Sequence, residues 1–183
     1  MNNKFQQLKT GLAVMALVCF GLATRAADPA TYATIDFPDA VFTLAAGINS
    51  EGQIVGRYID PQGVHHGYLL AGGSFTSMNI PGAELTRPVG INDKGDIVGH
   101  FNLLGQHKDH GFLLRGGVFT TIDVPDAEET VAGSINNHGD IAGYHRDANK
   151  KWHGFVLRDG KFTTIDYPGA KYTQVWRMND SGQ

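Results

Sequence analysis

Cysteine is nearly absent from this chain of 183 residues, and no cluster of lysine and arginine occurs in it. The one cysteine, Cys19, lies in an apolar run near the N-terminus, so a chain cleaved after that run can form no intrachain disulfide. Removing residues 1–26 takes away three basic and no acidic residues, which lowers the formal net charge from −3 to −6. An acidic chain without a basic patch argues against nucleic acid and anionic membrane surfaces as partners.

The first 26 residues have the layout of a secretory signal peptide. Lys4 and Lys9 form a short basic start, residues 11–23 are an uncharged apolar run, and small residues precede a cleavage site after Ala26. Cleavage three residues earlier is one alternative, and retention as a membrane anchor is another. Thirteen apolar residues are too few to span a bilayer. We therefore predict a secreted, periplasmic or extracellular protein with no membrane span after cleavage.

The rest of the chain is a tandem repeat of about 43 residues. The motif Gly-Ile-Asn-x-x-Gly-x-Ile-Val-Gly begins at Gly47 and Gly90, and a variant of it begins at Ser134. A His-Gly-aromatic motif and a Phe-Thr motif ending in proline recur in the same phase. These two motifs begin at His66, His110 and His153 and at Phe75, Phe119 and Phe162, and a further copy of the latter spans residues 32–38.

Each repeat is expected to hold four short strands. In the second copy, the first strand ends at a hairpin turn over residues 92–95, and the second strand covers residues 96–101. A variable loop leads to a third strand over 110–115 and a fourth over 118–124, which is rich in residues that favour strands. Pro125 ends that strand because proline donates no hydrogen bond to a ladder. No stretch after residue 26 shows sustained helical periodicity.

Four strands in about 43 residues is the size of one β-propeller blade. We predict an all-β, propeller-like array of four-stranded antiparallel units, with an open β-repeat stack as the alternative. The β-repeat domain spans residues 27–183 and divides into a lone strand at 27–38, full repeats at 39–81, 82–125 and 126–168, and a partial repeat at 169–183.

The last partial repeat follows the pattern only as far as the turn at Met178–Gln183. By analogy with the earlier copies, Ile-Val-Gly is expected next, so the sequence has the pattern of a truncated repeat. Strands are expected near residues 31–37 and at Tyr172–Met178, each without its hairpin partner. Unpaired strand edges invite pairing with other chains, which predicts self-association.

The combined motifs resemble those of the HAF-type extracellular repeat family of bacteria. That family is named after a His-Ala-Phe motif, and here glycine replaces the alanine at positions 67, 111 and 154. The resemblance covers roughly residues 32–183 and depends on several motifs recurring in phase. It implies export and a propeller-like fold, but it implies no particular activity.

Two sets of repeated polar residues are candidates for a metal-binding or catalytic role. The histidines that open the His-Gly-aromatic motifs could converge on a metal, but hydrogen bonding to a backbone carbonyl or a neighbouring unit is the preferred interpretation. The repeated acid of the fourth strand could support glycoside chemistry, although asparagine in one copy favours a structural tie between units. The residues are His66, His110 and His153 in the first set, and Asp36, Asn79, Asp123 and Asp166 in the second.

Oxygen-rich turns and aromatic residues give two weaker candidates. The turns at 92–96 and 136–140 could bind calcium, but they lack the spacing of a calcium loop. Aromatic side chains could stack on a sugar, but packing between units is preferred; they are Tyr58, Tyr144, Trp152 and Trp176. No catalytic, cofactor-binding or metal-ligating residue is assigned, and no cofactor is expected.

The sequence therefore predicts only the broad class of function. The leading hypothesis is a non-catalytic exported scaffold that binds an unknown extracellular ligand, either carbohydrate or protein, or serves as a surface component. The alternative is a propeller enzyme, a glycosidase or lyase acting on extracellular polysaccharide. Such an enzyme needs one unit that breaks the repeat with clustered acids, and the segment 126–129, interpreted as a solvated loop, is the candidate.

We predict that the exported protein begins at Ala27, because the segment before it has the basic, apolar and small-residue regions of a cleavable signal. Intact-mass spectrometry of protein recovered from the periplasm or the medium measures this. A chain that still begins at Met1 or Asn2 would contradict the prediction.

Overall fold

Runs of strand-forming residues alternate with glycine-containing turns along the described chain. The computed structural model describes residues 32–183, and within them it contains twelve β-strands and no helix. The all-β prediction is confirmed. Over the same residues, no helix is long and apolar enough to cross a membrane. The predicted signal peptide and Cys19 lie outside the described residues.

The twelve strands form three successive units of four. Their bounds are β1 Phe42–Ile48, β2 Ile54–Ile59, β3 His65–Ala71 and β4 Ser74–Met78 in the first unit; β5 Ala83–Ile91, β6 Ile97–Leu103, β7 His110–Arg115 and β8 Val118–Ile122 in the second; and β9 Glu129–Ile135, β10 Ile141–Arg146, β11 Trp152–Arg158 and β12 Lys161–Ile165 in the third.

Within each unit, every strand pairs antiparallel with the next one along the chain. A single parallel pair, His65↔Leu85, joins the first two units into one eight-stranded sheet, and the third unit forms a four-stranded sheet. No sheet among residues 32–183 closes on itself, so closure into a propeller stays a prediction.

Glycine is required in the hairpin turn between the first and second strands of each unit. Gly52, Gly95 and Gly139 have φ values of 73°, 78° and 95°, in the left-handed region that other residues rarely adopt. The sequence predicted this conformation from the Asn-x-x-Gly pattern, and it is confirmed.

A second set of glycines allows the second strand to pass close to the first. A Cβ atom on Gly99 would overlap the carbonyl oxygen of Arg87 and lie 2.9 Å from the ring of Phe112. The register between β5 and β6 shifts at the same place, between Pro88 and Gly90. Gly56 and Gly143 have the same surroundings in the other two units.

The hydrophobic core lies between units. One buried cluster joins Val98 and Ile122 of the second unit to Ile135 and Phe155 of the third, and the other joins Val55 and Met78 of the first unit to residues of the second. The glycine of each His-Gly-aromatic motif permits this packing. A Cβ atom on Gly67 would lie 2.7 Å from the ring of Pro88, which is on the first strand of the next unit.

The strands predicted at the two ends of the repeat region are wrong. Residues 32–37 and 173–178 are not in strands, and the described residues form no ladder with either segment. Tyr172 makes only an isolated parallel bridge with Trp152. The self-association expected from these edges therefore stays a prediction.

Both end segments nevertheless occupy places that match the repeat. The backbone N–H of Phe37 donates to the Thr43 hydroxyl at 3.0 Å, and that of Tyr167 donates to Thr173 at the same distance. The same bond, from the residue before a proline to a threonine six positions later, connects successive units at Ile80–Thr86 and Val124–Thr130. Residues 172–178 thus follow the third unit as β5 follows the first.

We predict that Gly99→Ala lowers the free energy of unfolding by about 3 kcal/mol, because the added methyl group has to displace the backbone of β5. Chemical denaturation measures the loss. The matched control is Gly95→Ala, where nothing lies within 4 Å and only the positive φ opposes the change, at a cost of about 1–2 kcal/mol. Equal losses for the two variants would contradict the predicted close approach of the strands.

Candidate functional site

The three repeated histidines do not meet one another. Each lies at the start of a third strand and hydrogen-bonds the side chain of the residue that follows the fourth strand of its own unit. The interpretation preferred from the sequence, a backbone carbonyl or a neighbouring unit as the partner, is wrong. The distances are 3.0 Å from His66 Nδ1 to Asn79 Oδ1, 2.7 Å from His110 Nδ1 to Asp123 Oδ2 and 2.8 Å from His153 Nδ1 to Asp166 Oδ2.

An acid from the loop before the third strand also contacts two of these rings. The Nε2 atom of His66 lies 2.9 Å from Asp60, and that of His153 lies 3.4 Å from Asp147. Residues 32–183 contain no group of three or more histidine, cysteine or acidic side chains that could hold a metal ion. These contacts tie the third strand of a unit to its fourth strand and to the loop before it.

The oxygen-rich turns contact one another across the units. Asn92 Nδ2 donates to the carbonyl of Asn136 at 3.1 Å, and Asn49 Nδ2 donates in the same way to the carbonyl of Asn92 at 3.0 Å. The carboxylate of Asp96 accepts a hydrogen bond from Arg115 at 2.8 Å, which lowers its pKa. The oxygen atoms that suggested calcium therefore hold the turns to each other and to arginine.

The aromatic candidates separate into packed and exposed residues. Tyr58 stacks on Phe37 with ring centres 3.6 Å apart and hydrogen-bonds Ser77. Tyr144 is buried, and its ring contacts both tryptophans. Trp176 keeps 53% of its surface exposed, so it is the aromatic candidate best placed to contact a ligand.

The repeats differ in chemistry at one pair of facing positions on the first and second strands. The motif residues next to this pair, such as Gly56 and Gly99, are the same in every unit. At the pair itself, the units carry apolar, basic or aromatic side chains. The facing residues are Leu44 and Arg57, Arg87 and His100, and Val131 and Tyr144.

A cavity of about 390 Å³ opens beside two of these pairs. It lies where the first strands of the first two units approach residues 176 and 177. None of the residues that line it is acidic. They are Leu44, Ala45, Ala46, Arg57, Arg87, Pro88, Val89, His100, Trp176 and Arg177; we call this space the arginine cavity.

No acidic side chain lines the arginine cavity to balance the positive charges of its arginines. Burial and the positive charge of Arg87 lower the pKa of the Arg57 guanidinium. Burial, followed by the charges of Arg87 and Arg57, lowers the pKa of His100 to about 3, so its imidazole is neutral at physiological pH. Arg87 Nε and His100 Nδ1 are buried and have no hydrogen-bond partner among the described residues. Unpaired buried donors of this kind are costly unless a ligand or water satisfies them.

Arg177 connects the arginine cavity to a second space between the first strands. Its guanidinium donates to the carbonyl of Gly133 at 2.8 Å and to that of Ala46 at 2.9 Å, which links the third unit to the first. A cavity of about 280 Å³ lies on the other side of this side chain and is lined by β1, β5, β9 and residues 177 and 178. Arg177 stands where the other copies of the repeat have glycine or serine, at positions 47, 90 and 134.

Acidic residues lie near Arg87 but do not line the arginine cavity. Burial and the charge of Glu129 raise the pKa of Asp109, while Arg87 opposes that rise. Glu129 forms an ion pair with Arg146, and Glu128 contacts Lys150. The segment 126–129 was interpreted as a solvated loop, but the Glu129 side chain is only 13% exposed. The interpretation is wrong at this residue because its carboxylate is held by arginine.

Sequence reasoning identified Trp176 and missed Arg57, Arg87, His100 and Arg177. Motif searches look for what the repeats share, whereas these residues occupy positions where the repeats differ. A column-by-column comparison of the three units would have shown the change from Leu44 to Arg87 and from Arg57 to His100. It could not have shown that no acidic side chain lines the cavity with them.

We predict that changing all three histidines His66, His110 and His153 to glutamine leaves the metal content of the purified protein unchanged, because each ring is held by its own acid or amide. Elemental analysis of wild type and triple variant is the measurement. Stoichiometric zinc that disappears in the triple variant would overturn this.

Comparisons with known proteins give little resemblance. No family model matches the chain, and no curated protein matches it. Among solved structures, it is similar to the crystal structure of a triple arginine-to-alanine mutant of AofleA from Arthrobotrys oligospora, with a TM-score of 0.42 and 15% sequence identity. The match covers 68% of this chain, and the chain spans 41% of the length of that protein.

Proposed function

We propose that this chain is an exported, non-catalytic repeat protein of the HAF type, and that it binds an anionic extracellular ligand in the arginine cavity. The observation that carries the proposal is the pair Arg57 and Arg87, which lie close enough for one to lower the pKa of the other. None of the residues that line the cavity supplies a negative charge to them. Two like charges in a partly desolvated site favour a bound anion.

A propeller-like arrangement of the units is part of this proposal. The first strands of all three units line one cavity together with residues 177 and 178, as inner strands do around the axis of a propeller. Arg177 contacts both the first and the third unit, which supports a ring over an open stack. The arginine cavity then lies at one mouth of that axis, a usual place for a ligand in a closed β-structure.

An enzyme acting on extracellular polysaccharide is the second candidate, and the raised pKa of Asp109 favours it. A carboxyl group whose pKa lies above its usual range is what a glycosidase needs as its general acid. Its nearest partner, Glu129, is however ion-paired with Arg146 and is not free to act as the second carboxylate. A lyase needs a base, and a histidine with a pKa of about 3 is a weak one. Binding is therefore the better-supported function.

We predict that the protein binds at least one acidic polymer and that Arg87→Gln weakens this binding by about tenfold or more, because it removes a charged hydrogen-bond donor from the cavity. Calorimetric titration with polygalacturonate, dextran sulfate and polyphosphate, with neutral dextran as the comparison, measures the affinities.

The matched control is Lys161→Gln, which removes the same charge from an exposed position on β12. It should leave the affinity within about twofold of wild type, because exposed charges far from a site are screened by salt. If none of the three acidic polymers binds, or if the two variants lose affinity equally, the proposed function is wrong.

A further inference from the structure

The exposed face of Trp176 gives the arginine cavity an apolar wall. Its indole packs on Tyr144 with ring centres 5.1 Å apart, and about half of its surface remains open. Ala45, Pro88 and Val89 add further apolar surface beside it. A ligand that only carried charge would leave this surface in contact with water. The wall therefore favours a ligand with a flat or weakly polar ring face.

The charge balance around Arg87 favours a ligand with one negative charge. Arg57 has no acidic partner among the residues lining the cavity, whereas Arg87 is near enough to Asp109, which does not line the cavity, for its charge to lower the pKa of that carboxyl. A doubly charged group such as a phosphate monoester would meet repulsion from the carboxyl of Asp109 whenever that group is ionised. A planar carboxylate satisfies the fork of a guanidinium with two parallel hydrogen bonds and brings only one charge.

The neutral imidazole of His100 suits a hydroxyl group. Its Nδ1 is buried and without a partner among the described residues. A neutral imidazole offers one donor and one acceptor, and a hydroxyl can complement either of them. The cavity volume of about 390 Å³ lies at the low end of the range for small-molecule sites, about 300–1,000 Å³, which limits the bound part of the ligand to one or two rings.

Building on the proposed anion site, we infer that the ligand is an acidic sugar, a uronate. Its carboxylate is held by Arg57 and Arg87, its ring lies against Trp176, and a hydroxyl of the ring bonds His100. Each group of the cavity that lacks a partner then obtains one. A neutral sugar would leave the two guanidinium groups uncompensated, and a simple inorganic anion would leave the indole uncovered.

The test compares oligogalacturonate with the same oligosaccharide after methyl esterification, which removes the charge and keeps the ring. We expect oligogalacturonate to bind and the ester to bind at least about tenfold more weakly. Because the change is in the ligand, this comparison does not depend on the folding of any variant. Dextran sulfate, titrated in parallel, provides an acidic sugar polymer without carboxylates.

Variants of the protein then test which side chain makes each contact with the ligand. Arg57→Lys keeps the charge but loses the two parallel N–H donors of the guanidinium. It should lower the affinity for oligogalacturonate by several-fold and the affinity for dextran sulfate by less. In a Trp152→Phe background, the fluorescence that remains comes from Trp176, because the chain has two tryptophans. Oligogalacturonate should change that emission, and the Trp176→Ala variant should bind at least about tenfold more weakly.

The outcomes separate the inference from the proposed function. If dextran sulfate binds in a way that depends on Arg87 and oligogalacturonate does not bind, the inference of a uronate ligand is wrong and the proposed anion site is still supported. Equal affinity for the acid and its methyl ester would also overturn the uronate, since the carboxylate would then make no contribution. The absence of binding by every acidic ligand would overturn both.

Discussion

The second and third units of this protein bury their first strands against the unit before them, and the rest of the architecture depends on that contact. Ile91 and Ile135, at equivalent positions on β5 and β9, are 8% and 6% exposed, whereas Ile48 on β1 is 65% exposed. The same isoleucine is thus in the core or at the surface according to whether another of the three described units precedes it. Because the apolar clusters lie between units, a single unit has little core of its own, and neighbouring units stabilise one another.

That contact accounts for most of what the repeats have in common. Gly67 and Gly111 leave room for the following first strand, Gly99 allows the second strand to approach the first, and the asparagine turns bind their neighbours. A residue under such a constraint can hardly change in one unit alone. Chemistry specific to one place must therefore come from positions the packing leaves free, and Arg57, Arg87 and His100 occupy such positions.

The sequence predicted the features that every unit repeats, because a pattern found in three copies indicates the same local geometry three times. The all-β class and the left-handed glycines at the hairpin turns followed from spacing and turn chemistry alone. The end segments were predicted as strands because they match the fourth and the first strand of the repeat. A strand also needs a partner beside it, however, and propensity does not supply one. The arginine cavity escaped prediction because it joins residues of different units and is defined by the absence of acids among the residues that line it.

At the arginine cavity, the side chains of the facing pair differ between a unit that packs without charge and a unit proposed to bind a ligand. At the facing pair, the third unit has Val131 and Tyr144, an apolar and aromatic combination that packs without any charge. The second unit has Arg87 and His100 in the same backbone setting, and burial there drives His100 to its neutral form and leaves Arg87 Nε unpaired. The scaffold can therefore be built with an apolar pair, and we expect the basic pair to make the second unit less stable in the absence of a ligand. A bound anion would remove that penalty, because it supplies the charge and the acceptors that the neighbouring strands do not.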